Sequence, residues 1–136
     1  MRDVVLPWFE IDGTVPDLVG RRCEGFVAEQ YWHAGQLRAP ASVVHVRFAG
    51  QRFRLYFEHS LVFWRPTEHP PQAYAMPEID ASVTLDDIAE RAGTRGLTLL
   101  ALETRAIPRG VVVSFQFEPS RNIEVRCIDD RAEVAC

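Results

Sequence analysis

The stretch "SVVHVRFAGQRFRLYFEH", residues 42–59, decides how the chain is read. In its first half Val44, Val46 and Phe48 alternate with His45 and Arg47. In its second half Phe53, Leu55 and Phe57 alternate with Arg52, Arg54, Tyr56 and Glu58. A period of two sends successive side chains to opposite faces, the pattern of a half-buried strand. Between the halves, Gly50 supplies the positive backbone angle that a tight turn requires. The stretch predicts an antiparallel hairpin with its apolar face on the core and an arginine-rich face outward.

Downstream, "SLVFW" (60–64) continues as a short strand after a turn or bulge at His59 and Ser60. "RPTEHPPQAYAMP" (65–77) holds four prolines in thirteen residues. Each lacks a backbone donor, so this segment is expected to leave the sheet as a stiff, ordered loop. "VTLDDIAERAG" (83–93) reads as a helix. Thr84 stands as N-cap, Asp86 and Asp87 fall in the first turn, and Gly93 is the stop. Leu85, Ile88, Ala89 and Ala92 form its apolar stripe, and Asp87 and Arg91 pair four apart on the outer side. "LTLLALETRA", "GVVVSFQFE", "NIEVRCI" and "RAEVA" then alternate as strands, with turn residues between them.

The N-terminal third is less clearly patterned. "VVLPWFEIDG" reads as a strand, and "VPDLVGRRC" as a turn or one short helix opened by Pro16. "EGFVAEQYWHAG" fits both periods, and its Phe, Val, Tyr and Trp favour a strand. The expected fold is a single α+β domain over residues 1–136. It would be a mainly antiparallel, curved sheet, a meander of about six strands, with one or two short helices packed on it.

The totals fit one soluble domain: 136 residues, 47% hydrophobic, 25% charged. No apolar run approaches the roughly 18 residues of a membrane span, and "MRDVVLPWFEIDG" is not a signal peptide. A cytoplasmic location is expected. Cys23, Cys127 and Cys136 are odd in number and form no CxxC pair, which argues against a disulfide framework or a structural zinc site. Cys127 is expected in the core and Cys136 in a frayed tail. All fifteen basic residues are Arg, a composition that points to a GC-rich bacterial genome. The formal charge of -4 argues against a nucleic-acid partner, and no membrane partner is indicated.

Catalytic signatures are sparse. His33, His45, His59 and His69 show no metal-ligand spacing and read as surface or satisfied histidines. If the proline loop folds back, Glu58, His59, Glu68 and His69 would form a two-His, two-carboxylate site, which is the basis of an alternative reading as a small enzyme or metal-binding domain. "EHSLV" is not a nucleophile elbow. The pairs Asp86-Asp87 and Asp129-Asp130 are explained by a helix start and a hairpin turn. With no Lys in the chain, a P-loop is excluded. No catalytic residue, metal ligand or cofactor is assigned. Trp64 beside Arg65, ahead of the proline loop, and Tyr74 after it are residue types enriched in interface hot spots. A third reading is a barrel-like binder enclosing a small apolar molecule.

"LYFEHSLVFWR" (55–65) and "SRNIEVRCIDD" (120–130) resemble segments of the small immunity proteins encoded beside bacterial polymorphic toxins. Many of those are acidic, cytoplasmic α+β domains of this length. The resemblance implies a non-catalytic protein that binds a cognate toxin tightly and blocks its active site or substrate path. Trp64, Arg65 and Tyr74 would then be the anchors. Asp86, Asp87 and Glu90, or the loop acids Glu68, Glu78 and Asp80, would meet basic residues on the toxin, which steers encounter and fixes orientation.

Overall fold

A computed structural model describes residues 7–136, and the period of two seen in the hairpin recurs through most of them. Seven strands form one sheet: β1 (Glu10–Asp12), β2 (Cys23–His33), β3 (Gln36–Phe48), β4 (Gln51–Glu58), β5 (Leu61–Thr67), β6 (Tyr74–Met76) and β7 (Ala81–Asp87). Their order across the sheet is β1-β5-β4-β3-β2-β7-β6. A second sheet is a plain meander of β8 (Leu99–Ile107), β9 (Gly110–Phe117), β10 (Arg121–Ile128) and β11 (Arg131–Ala135). The strand expected at "VVLPWFEIDG" is confined to β1 within the described residues, and the part of that reading on residues 4–6 lies outside them. Residues 24–34 are strand, inside β2.

The expected α+β class is corrected by this architecture. The chain is a mostly β protein of two sheets. Its helical content is the five-residue α1 (Ile88–Ala92) and a 3-10 turn at Pro77–Ile79. The apolar face of the first sheet is covered by the apolar face of the second, not by helices. Phe26 meets Phe115 edge-on at 4.9 Å between centroids, Phe48 stacks on Phe117 at 6.3 Å, and Trp64 meets Phe115 at 6.4 Å. These fully buried side chains fill the space between the sheets, and each contributes both area and ring geometry to the core.

The helix expected over 83–93 is mostly strand. β7 pairs with the full upper half of β2, from Val27 opposite Asp87 to His33 opposite Ala81. That pairing satisfies backbone groups which β2 would otherwise leave as an open edge, and it overrides local helix propensity. Thr84 is a strand residue, and the N-cap is Asp87, whose carboxylate accepts from the Glu90 N–H at 3.2 Å. Gly93 does end the helix, at φ 70°. Arg91 pairs with Asp86 and not with Asp87.

The hairpin register places Val44 opposite Leu55 and Val46 opposite Phe53 on the core side. His45 opposite Arg54, and Arg47 opposite Arg52, face outward. The turn residues Ala49 and Gly50 both have positive φ, the backbone twist that matches two flanking strands. In the second sheet, a Cβ built on Gly110 would stand 1.8 Å from the Cys127 carbonyl oxygen, so that close approach admits only glycine.

The proline-rich segment is partly in the sheet, contrary to expectation. Arg65, Pro66 and Thr67 finish β5, beyond the point where β1 pairs with it, so the donor missing at Pro66 faces no strand on that side. Residues 68–73 then carry the chain from β5 to β6, past β4, β3, β2 and β7. Thr67 lies level with Gly25 of β2 and Tyr74 with Tyr31, so the crossing runs diagonally in an extended form. Pro70 and Pro71 favour that extended form. The segment is a strap across the outer face, with Pro71 lining one depression together with Val27, His45 and Arg47.

Candidate functional site: a strapped arginine face and an acidic edge

Two features of the first sheet stand out, and the strap joins them. The first is the outer face of β3, β4 and β5. Arg47 stands opposite Arg52, and Arg54 opposite Arg65. Arg65 is engaged within the fold. It binds the Asp12 carboxylate, donates to the Asp12 carbonyl oxygen at 2.9 Å, and lies 5.5 Å over the Phe63 ring, which stacks on Tyr56. In this way Arg65 clamps β1 to β5. Arg47 comes no closer than 3.9 Å to Glu24. Arg52 and Arg54 have no ion pair among the described residues.

Between these arginines and the strap, His45 meets Glu29 at 2.6 Å through Nε2. A carboxylate only accepts, so Nε2 carries the hydrogen and Nδ1 is left over. Nδ1 is buried and has no partner among the described residues, and the same holds for Arg47 Nε. Beside the pair runs an open groove of about 380 Å³, lined by His45, Arg54, His69, Pro70 and Tyr74. No local pattern signals that His45 and Glu29 meet. They are sixteen residues apart, and only the strand register brings them together.

The second feature is the sheet edge formed by β6 and the 3-10 turn. Tyr74 is 52% exposed and Ile79 is 51% exposed. Glu78 and Asp80 are exposed around them, with no ion pair among the described residues. The acids of α1 and its approach are different. Asp86 binds Arg91 at 2.9 Å, while Asp87 and Glu90 share Arg95 at 2.8 and 2.9 Å. That cluster is largely neutralised within the fold.

The residues expected to anchor a partner therefore separate. Trp64 is 1% exposed and belongs to the core, so it is not presented to a partner. Arg65 holds β1. Glu68 is exposed on the strap beside Arg52, and Tyr74 is exposed on the edge. The histidines do not converge. His59 sits in the β4–β5 turn, where its N–H donates to Asp130 Oδ1 at 2.8 Å. His69 follows Thr67, at the other end of the same strand pair. Six residue steps of about 3.3 Å, or about 20 Å, lie between the ends. Glu58 and Glu68 are divided in the same way, so the four do not form one cluster. Among the described residues no group of three His, Cys, Asp or Glu side chains is placed to hold a metal ion.

Cys23 and Cys127 are buried, and burial pushes both thiols up to about 11. Cys136 is exposed, with its sulfur 3.2 Å from Arg91 Nη1. No helix among the described residues is long and apolar enough to cross a membrane. Compared with protein-family models, with curated proteins and with solved structures, the chain matches none.

Proposed function

We propose that the chain is a non-catalytic, cytoplasmic protein-binding domain that neutralises a toxin by docking on it, in the manner of the immunity proteins it resembles. The observation that carries this reading is the β6 edge: an exposed Tyr74 and Ile79 set among Glu78 and Asp80, acids with no ion pair among the described residues. Tyrosine contributes a large, rigid contact surface, and the proline strap before it limits the entropy lost on docking. The edge strand also presents backbone groups to which an extended segment can add. The unpaired acids and the charge of -4 suit a partner with a basic surface. Asp86, Asp87 and Glu90 contribute less, because Arg91 and Arg95 already neutralise them.

Co-expression with the product of the adjacent gene tests the reading. The expected result is relief of that product's toxicity together with a stable complex on gel filtration. A neighbour that is harmless alone, or one that stays toxic and unbound in the presence of this protein, overturns it.

A further inference from the structure

We propose that the strapped groove on the arginine face is a binding site for an oxyanion, the phosphate or carboxylate group of a small ligand. Several observations carry the inference independently of the docking reading. The first is charge. In a chain of net -4, the depression around the strap gathers Arg47, Arg52, Arg54, His45 and His69 against Glu24, Glu29 and Glu68. Glu29 is already held by His45. Arg52 and Arg54 are thus the two guanidiniums there without an ion pair among the described residues.

The second observation is register. Like charges directly across a strand pair destabilise a sheet by an amount comparable to the gain from opposite ones. Here two such pairs lie side by side, Arg47 with Arg52 and Arg54 with Arg65. Asp12 relieves Arg65, and nothing among the described residues relieves Arg52 or Arg54. A guanidinium presents two parallel N–H groups, a fork matched to the oxygens of phosphate or carboxylate. An anion between Arg52 and Arg54 removes the repulsion and uses both forks.

The third is burial. Arg47 Nε, an N–H donor, is shielded from solvent and makes no hydrogen bond among the described residues, its nearest acid Glu24 standing off at 3.9 Å. A buried donor left without an acceptor is costly, and an oxyanion would supply one. Arg47, with His45, Arg52 and Pro71, lines a chamber of about 30 Å³. The chamber shares His45 and Pro71 with the 380 Å³ groove, so an anion entering the groove reaches the Arg47 N–H by displacing Pro71. The strap crosses the face and would obstruct a nucleic-acid strand laid along it. A small molecule is the fitting occupant.

Inorganic phosphate and citrate, titrated at ionic strength held constant with sodium chloride, are the probes. Saturable shifts of the His45 ring protons, the Arg52 and Arg54 side-chain N–H signals and the Gln72 and Ala73 amides are expected at millimolar concentration. Saturation by phosphate alone assigns a phosphoryl ligand, by citrate alone a carboxylate, and by both the shared oxyanion chemistry. The double substitution Arg52→Gln with Arg54→Gln should weaken binding at least tenfold, and Arg54→Gln alone severalfold. Arg109→Gln, at a turn where Arg109 pairs with Asp129, should leave it unchanged. Shifts that rise linearly with both anions, or a titration that is the same in the double variant, overturn the proposal.

Discussion

Trp64 contributes to the core through contact with Phe115, and its removal would leave a large cavity between the sheets. Trp64→Ala is expected to lower stability by about 3–5 kcal/mol in urea unfolding. Tyr74→Ala, on an exposed edge, should change it by no more than about 0.5 kcal/mol. Similar losses for the two would place Tyr74 in the structural core as well. The thiols behave in the same position-dependent way. At pH 8 a thiol reagent should modify Cys136 in the folded protein, and Cys23 and Cys127 only after denaturation. Because burial raises the folded-state pKa of Cys23 and Cys127 from 9.0 to about 11, the unfolded chain ionises first as pH rises. The stability they confer is therefore full below pH 9 and falls as pH climbs toward about 11. Replacing both with Ala should flatten that decline, and an unchanged slope would assign it to other groups.

Among the elements, the strap is the one that prolines stiffen most, through Pro70 and Pro71. Pro70→Gly together with Pro71→Gly should cost about 0.4–1 kcal/mol per site, through the freer unfolded chain, while leaving both sheets intact. Amide exchange over residues 72–76 should accelerate, and exchange in β9 should not. Equal acceleration in both would show the strap to be part of the cooperative core. The elements also show what the sequence disclosed. The β3–β4 hairpin was legible because its alternation and its turn glycine are local properties. The meander of β8 to β11 was legible for the same reason. Residues 81–87 were not, because capping residues and a short apolar stripe imitate a helix start, whereas the pairing with β2 that decides the matter is remote in sequence. Trp64 and Arg65 looked like one anchor, yet neighbours on a strand point to opposite faces, and that parity sends Trp64 inward with Val62.

At the scale of the whole molecule, one sheet covers the other, so catalytic-looking side chains are distributed over separate surfaces. His59 lies at the end where the β4–β5, β8–β9 and β10–β11 turns meet, and His69 lies on the strap. Whether an apolar face is covered by helices or by a second sheet is a non-local outcome, which is why the expected class departed from the observed one. The site was legible only in part. The arginine-rich outward face followed from alternation alone, but the His45–Glu29 pair and the path of the strap depend on register and strand order. The result is a surface with a cationic groove on one face and an acidic edge beside it, joined through Tyr74.

The most direct test of the docking account is calorimetric affinity for the adjacent gene's product across two sets of substitutions. Tyr74→Ala, Glu78→Ala and Asp80→Ala together should weaken binding at least tenfold, while Asp86→Ala, Asp87→Ala and Glu90→Ala together should stay within about threefold, corresponding to well under 1 kcal/mol. Tight binding that survives loss of the β6 edge would contradict the account.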